Sequence, residues 1–174
     1  MKLLQKVQEL SQLLTTSNEH VDFYVVAEFL SRIMASNVYI VGRKGKILGY
    51  GVYEHALTDE WMHIMTEEQR FPGGFNKNLL RIEQSVANLQ NKEDFYVFTP
   101  EENDSFRSKN ISVAPVIAGR ERQGTLVFAR SERPFEDEDL ILAEYSATIV
   151  ALEVIHARQQ KTEEEAREWV SESA

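Results

Sequence analysis

The chain has 174 residues, of which 43% are hydrophobic, and its formal net charge at pH 7 is -9. That size and apolar content suffice for one domain with a single core. The acidic balance and the absence of long Lys or Arg blocks argue against nucleic-acid binding by these residues, because such binding neutralises phosphates. Without cysteine, the chain has no disulfide, thiol nucleophile or Cys-ligated zinc, which favours an intracellular protein.

The first predicted element is an amphipathic helix. Its apolar residues recur at helical spacing: Leu3, Leu4, Val7, Leu10, Leu13 and Leu14. One stripe of the helix is therefore apolar and needs a partner surface. The start of the chain does not resemble a signal sequence, and no run of about 18 apolar residues is evident. We expect a soluble, cytoplasmic protein.

A second helix and a hairpin follow. Asp22 is a suitable N-cap for a helix over Phe23–Ala35, since its carboxylate can accept a hydrogen bond from the first turn. The β-rich runs Val38–Val41 and Ile47–Tyr50 flank Gly42–Lys46. Glycine in a short turn between such runs is the usual signal of a β-hairpin.

The middle of the chain is a long irregular insertion. A short helix is predicted over Thr58–Gln69, broken by Phe71–Gly74, and another helical turn over Phe75–Ile82. The run Phe95–Phe98 predicts a strand that stops at Thr99 and Pro100.

The last elements are a hairpin and a long helix. Strands are predicted over Ile111–Ile117 and Gly124–Ala129, joined by the polar turn Ala118–Gln123. The acidic run Glu136–Asp139 is typical of a helix start, and the helical pattern extends from Leu140 to about Arg167. The element order predicts an α+β fold, with a central antiparallel sheet flanked by helices and a long C-terminal helix.

No pattern in the chain indicates catalysis. Gly42–Lys46 lacks the spacer and the Ser or Thr of a phosphate-binding loop, and it leads into a strand instead of a helix. Asp59, His63 and Glu67 share helical spacing, but no second histidine cluster completes a metal site. No Gly-x-Ser-x-Gly motif is present. We therefore expect neither an enzyme nor a metal site.

An apolar constellation is the better candidate for function. Trp61, Met62, Met65, Phe71 and Pro72 lie on the insertion, and a strand end supplies the remaining members. Those members are Phe98, Thr99 and Pro100. Such side chains on connecting segments can enclose a small apolar ligand, although the same residues could simply form core.

The sequence resembles the N-terminal ligand-sensing half of the CodY family, nutrient-responsive transcription regulators of low-GC Gram-positive bacteria. The resemblance runs almost end to end and is carried by six stretches: Leu3–Lys6, Gly45–Tyr50, Phe71–Pro72, Pro100–Asn103, Gly119–Leu126 and, above all, Asp139–Tyr145. It implies a GAF domain over residues 1–155, and residues 156–174 would be a helical extension towards a winged-helix DNA-binding domain that this sequence lacks.

The resemblance also implies the ligand and its pocket. The effector would be a branched-chain amino acid, above all isoleucine, with leucine and valine as alternatives and GTP as a second effector; the regulator would be a dimer. Carried over by position, the pocket comprises Tyr39, Gly42, Arg43, Trp61, Met62, Met65, Phe71, Pro72, Tyr96, Phe98, Thr99 and Pro100.

One position departs from the family. Trp61 stands where the family has an arginine that pairs with the amino acid's carboxylate, and an indole N–H cannot replace a two-pronged guanidinium. Arg43 or Arg70 could reach the carboxylate, backbone amides could bind it, or the ligand could differ or be absent. A rival hypothesis is a dimerisation module whose pocket Trp61 fills.

The expected mechanism is closure of the segment Leu57–Phe75, here called the flap, over the sheet. A ligand shifts such an equilibrium only through its difference in affinity for the two states. The last helix would carry the shift to the next domain.

Overall fold

The structure is a computed structural model that describes residues 2–15, 22–54, 69–71, 73–89, 110–131 and 133–173. These residues form α1 (Leu3–Thr15), α2 (Phe23–Met34), β1 (Asn37–Gly42), β2 (Ile47–Gly51), α3 (Gly73–Leu80), β3 (Asn110–Ala118), β4 (Glu121–Arg130) and α4 (Asp137–Ser173). The predicted helix Thr58–Gln69, except for its last residue, and the predicted strand Phe95–Phe98 lie outside the described residues.

The four described strands form one antiparallel sheet in the order β2-β1-β4-β3. Because side chains alternate along a strand, the sheet builds two apolar clusters. The helix-side cluster includes Val38, Ile40, Leu126 and Phe128, and it packs against α1, α2 and α4. The far-side cluster consists of Tyr39, Val41, Ile47, Phe71, Leu79, Ile82, Ile111, Val113, Val127 and Ala129. The predicted α+β architecture is thus confirmed.

α2 begins at the predicted cap. The Asp22 carboxylate accepts a hydrogen bond from Tyr24 N at 2.9 Å. The helix ends at Met34, one residue before the predicted end, because Ala35 takes a left-handed conformation with φ 49° and donates its N–H to Ser31 O. Val26, Leu30 and Met34 are buried against the sheet.

α3 begins two residues before the helical turn that the sequence predicts. Gly73 and Gly74, expected to break helix, are its first two residues. Glycine is accepted at a helix start, because its entropic cost is greatest in the helix interior. The helix ends at Leu80, not at Ile82.

The second hairpin is tighter than predicted. Its strands run to Ala118 and from Glu121, so the turn is Gly119 and Arg120, with φ values of 61° and 66°. Two positive φ values match the twist of a two-residue hairpin. The predicted turn Ala118–Gln123 is too long, because Ala118 ends β3 and the polar residues Glu121, Arg122 and Gln123 begin β4.

α4 is longer than predicted at both ends. It has 37 residues and starts with Asp137, Glu138 and Asp139 in its first turn, where carboxylates stabilise the positive end of the helix dipole. Residues 137–170 meet the length and composition of a membrane span. Leu142, Val150 and other apolar residues of this helix are buried in the helix-side cluster. Core packing therefore accounts for the apolar composition of α4.

Candidate functional site

Tyr39 and Phe71 form an aromatic pair on the far side of the sheet. Their ring centroids are 6.1 Å apart and their planes are inclined by 58°. The exposed fractions are 3% for Tyr39 and 1% for Phe71. Burial raises the pKa of the Tyr39 hydroxyl to about 12, and a hydrogen bond from Asn37 opposes the shift. The hydroxyl is therefore neutral at physiological pH and can donate a hydrogen bond.

Asn37 fixes the chain where it leaves the sheet towards residues 55–68. Its Oδ1 accepts hydrogen bonds from Tyr53 N at 2.7 Å and Glu54 N at 2.8 Å. Its Nδ2 donates to Glu54 O at 3.1 Å and lies 3.4 Å from Tyr39 Oη. One buried side chain thus links the aromatic pair to the segment that leads into the predicted flap.

The first hairpin holds the other end of that segment. Phe71 N donates to Gly45 O at 2.9 Å, and Ile47 N donates to Gln69 O at 3.0 Å. Gly45 has a φ of 91°, and a Cβ there would lie 3.4 Å from Asn76. The turn that the sequence predicts as an ordinary hairpin turn is therefore the support for Phe71.

Arg122 fastens the end of α3 to β4. Its guanidinium donates to Ile82 O at 2.6 Å and to Leu79 O at 3.2 Å. It also donates to Gly124 O at 2.6 Å and to Thr125 Oγ1 at 2.8 Å. These bonds satisfy carbonyls at the helix end and hold two far-side residues against the sheet. Burial lowers the pKa of Arg122.

The described structure brings together two of the predicted pocket residues, Tyr39 and Phe71. Gly42 follows at the end of β1, but a Cβ there would be nearest to Lys46 O and the Leu48 side chain, and Leu48 packs on the helix-side cluster. The side chain of Arg43 is exposed. The other predicted members, Trp61, Met62, Met65, Pro72, Tyr96, Phe98, Thr99 and Pro100, lie outside the described residues.

Several far-side residues were not singled out by the sequence. Val113, Val127 and Ala129 line the face that carries Tyr39, and strand alternation from Tyr39 through the sheet register would have found them. Asn37 and Arg122 gave no local signal, because Glu54 is 17 residues from Asn37, and Ile82 and Leu79 are 40 and 43 residues from Arg122.

A groove of about 420 Å³ lies at the β3 edge, between that strand, the segment around Ser85 and α4. Glu83 and Glu144 border it, and none of its nine lining residues is basic. Two carboxylates would repel an amino acid's carboxylate, so this groove does not suit the predicted ligand.

No group of three or more metal-ligating side chains occurs within the described parts of the chain. Asp59, His63 and Glu67, considered above as ligands, lie outside them. The described far side is a buried apolar cluster that includes the neutral Tyr39 hydroxyl.

Comparison with known proteins identifies the family. Residues 2–171 match the family model of the CodY GAF-like domain. The chain is 43% identical over 166 residues to the global transcriptional regulator CodY of Clostridium botulinum strain Hall, covering 95% of this chain and 64% of that relative. It is 38% identical over 168 residues to the regulator of the same name from Shouchella clausii, covering 96% and 64%.

Solved structures agree. The cofactor-binding GAF domain of the nutrient sensor CodY from Clostridium difficile matches with a TM-score of 0.65 and 32% identity, over 88% of this chain and 98% of that one. A GAF domain/HD domain protein from Geobacter sulfurreducens, 17% identical, matches with a TM-score of 0.57 over 91% and 99%, which shows the fold alone. The chain spans 64% of the length of the curated relatives named above. This chain belongs to the CodY GAF-like domain family.

Proposed function

We propose that the chain is the effector-sensing domain of a cytoplasmic transcription regulator, and that its effector is a branched-chain amino acid bound on the far side of the sheet. The observation that carries this proposal is the buried pair Tyr39 and Phe71 on an apolar face. Trp61 and Met62 lie in sequence between Glu54, which Asn37 holds, and Phe71. The related Clostridium difficile domain is described as cofactor-binding, which supports a small-molecule effector.

An aliphatic side chain fits this face better than a polar one. Ile47, Val113 and Val127 present only carbon atoms beside the aromatic pair, and burying a branched aliphatic group there contributes roughly 1.5–3 kcal/mol. Isoleucine fills more of such a space than valine. We therefore propose isoleucine as the preferred effector, over valine because of its size and over leucine because of the family resemblance.

The effector's carboxylate needs a hydrogen-bond donor. Backbone amides and the side chains of Arg43 and Arg70, which are exposed, are the candidate donors. With Trp61 at the family's arginine position, we propose weaker binding of the carboxylate than in relatives that retain the arginine.

The signal would pass from the flap to α4. Ligand binding would close the flap over the aromatic pair, and α4, which packs on the opposite face of the sheet, would carry the change onward. Residues 1–155 would form the sensing domain, and residues 156–174 a link to a winged-helix domain that binds DNA in the longer regulator. We propose a homodimer without enzymatic activity, with GTP as a second effector.

One observation favours the rival hypothesis of a dimerisation module. Leu4 is 68% exposed on α1 and Leu152 is 60% exposed on α4, and large apolar side chains at a surface suit an interface between copies. In this alternative Trp61 fills the pocket and no amino acid binds.

Calorimetric titration with isoleucine, leucine and valine separates the two functions. Sensing predicts heat of binding with isoleucine the tightest of the three, and no heat with glutamate as a polar control. A stable dimer that gives no heat with any of them supports the rival.

A variant sharpens this titration. Trp61→Arg restores the guanidinium expected from the family, and a charge-assisted hydrogen bond contributes roughly 1.5–3 kcal/mol, so isoleucine should bind about 10- to 100-fold more tightly. The matched control Trp169→Arg, on a residue 69% exposed in α4, should leave the affinity unchanged. Equal affinities of Trp61→Arg and the wild type would contradict a carboxylate site at that position.

A further inference from the structure

We propose that the described residues of the β4–α4 connector, Ser131 and 133–136, are the relay between the sensing face and α4, with Glu54 and Asn88 as positioning residues. That the relay transmits a conformational change caused by an effector rests on the proposed function. The relay itself rests on hydrogen bonds between described residues. The side chains of Glu54 and Asn88, from two different segments, both bond to the connector. The buried Arg130 joins the connector to α4.

The first contact joins the connector to the segment that enters the flap. Ser131 Oγ donates to Glu54 Oε2 at 2.5 Å, and Ser131 N donates to Glu54 Oε1 at 3.2 Å. The main chain of Glu54 is held in turn by Asn37, which lies beside Tyr39. Glu54 immediately precedes residues 55–68. A displacement of this segment therefore changes two hydrogen bonds to the connector.

The second contact joins the connector to Asn88, which precedes the predicted pocket residues Tyr96 and Phe98 in sequence. Asn88 Nδ2 donates to Phe135 O at 2.9 Å, and Phe135 N donates to Asn88 Oδ1 at 2.7 Å. The amide thus pairs with the backbone in both directions. Asn88 has a φ of 54°, and its own N–H donates to Ser112 Oγ on β3.

The third contact joins the connector to α4. Arg130, 4% exposed, donates to Arg133 O at 2.8 Å, to Pro134 O at 2.7 Å and to Asp139 Oδ2 at 2.9 Å. Its guanidinium lies 4.1 Å from the centre of the Phe135 ring, and it also donates to Met34 O. Asp139 in turn accepts from Glu136 N at 2.9 Å.

These contacts form one continuous network. Charge-assisted bonds to a buried guanidinium are strong and geometrically specific, so the connector and the first turn of α4 are held as one unit. A chain of packed and hydrogen-bonded groups of this kind can carry energetic coupling between two sites. Glu54 and Asn88 both bond to this unit. A displacement of either residue therefore biases the start of α4.

Amide hydrogen exchange of the unliganded chain tests the relay without any effector. Asn88→Gly removes the amide and keeps the positive φ accessible, and Ser131→Ala is a milder second variant. Each should speed exchange at residues 140–143 at least threefold, because local opening of the first turn of α4 breaks the hydrogen bonds that protect these amides. The control Ser85→Ala removes a hydrogen bond to Glu144 of α4 that bypasses the connector, and it should change that region less than twofold.

Coupling is reciprocal, so a change in the helix must be felt at the insertions. Asp139→Asn should speed exchange at residues 52–54 and 86–89 at least threefold. Faster exchange confined to the mutated element in all three variants, or an equal effect of Ser85→Ala at residues 140–143, would overturn the relay.

Adding isoleucine separates failure of the relay from failure of the proposed function. If the wild type gives no heat of binding, the sensing function fails, and the exchange data on the unliganded chain still decide on the relay. If isoleucine binds, Ser131→Ala should retain an affinity within tenfold of wild type. The slowing of exchange that isoleucine causes at residues 137–155 should then fall to less than a third. Undiminished slowing would contradict the relay.

Discussion

At the scale of single residues, Tyr39 combines an apolar setting with a polar atom. Its ring packs beside Phe71, and its hydroxyl stays close to Asn37. Burial disfavours the ionised form, which explains the raised pKa. A neutral donor on an apolar face can orient a polar ligand group without introducing a charge.

The raised pKa predicts a pH dependence of stability. Since the folded pKa of about 12 lies above the ordinary 10.0, the contribution of Tyr39 is fully present below pH 10 and is lost as pH rises towards 12. The total is about 3 kcal/mol. Urea unfolding between pH 9 and 11 should therefore show a steeper fall for the wild type than for Tyr39→Phe.

Tyr53→Phe is the control for this measurement. Tyr53 is 52% exposed, so the variant should keep the wild-type pH dependence. Identical slopes for wild type and Tyr39→Phe would show that the Tyr39 hydroxyl titrates normally.

Arg122 illustrates how one side chain can fix an element. Arg122→Lys should lower the free energy of unfolding by roughly 1–3 kcal/mol, because an ammonium cannot serve the four acceptors that the guanidinium reaches. Arg120→Lys, at an exposed turn position, should be neutral. Denaturant unfolding monitored by circular dichroism measures both, and equal stabilities would remove Arg122 from the account of how α3 is held.

At the scale of elements, close packing of α2 on β2 depends on two glycines. A Cβ at Gly49 would lie 2.5 Å from Phe23 O, and one at Gly51 would lie 2.4 Å from Ala27 O. Both contacts are with helix backbone, which cannot rotate away. The alternation of Gly49 and Gly51 along β2 thus permits the helix to lie directly on the strand.

Gly51→Ala should therefore destabilise the fold by roughly 1–3 kcal/mol, the usual cost of overpacking. Gly42→Ala is the matched control, because its nearest contact would be 3.5 Å, an ordinary distance. Thermal unfolding compares the two variants. A Gly51→Ala chain as stable as Gly42→Ala would show that α2 can move away from β2.

Sequence patterns predicted the elements whose determinants are local. The cap Asp22, the turn glycine Gly45 and the acidic start of α4 all act within a few residues. The ends of elements were less predictable, because non-glycine residues such as Ala35 and Arg120 rarely take the positive φ that they have here. Of the predicted pocket, Tyr39 and Phe71 meet in the described structure.

The polar network was not predictable for a physical reason. Glu54 and Ser131 are 77 residues apart in sequence, and Asn88 and Phe135 are 47 apart. No periodicity or spacing relates such pairs. These pairs meet because the sheet places β1 beside β4 and β4 beside β3.

At the scale of the whole molecule, α4 divides into two parts. Up to Val154 it buries residues such as Val150 and Ala151 in the helix-side cluster, whereas every residue from 156 to 170 except Gln160 is exposed. About 55 Å of helix at 1.5 Å per residue thus has a packed first half and a solvated second half.

Truncation tests that division. A chain that ends after Arg158 should unfold with a free energy within about 1 kcal/mol of the full chain, since exposed positions contribute little. A chain that ends after Thr148 loses Val150, Ala151 and Val154 from the core and should be destabilised by several kcal/mol. Urea unfolding distinguishes them, and a large loss in the longer truncation would assign the second half of α4 to the fold.

A crystal structure of the chain grown with isoleucine tests the central claim most directly. The account predicts electron density for the amino acid on the far side of the sheet, with its aliphatic side chain against Tyr39 and Phe71. Density there for the Trp61 indole in place of isoleucine, at a concentration that saturates any binding seen by calorimetry, would contradict it.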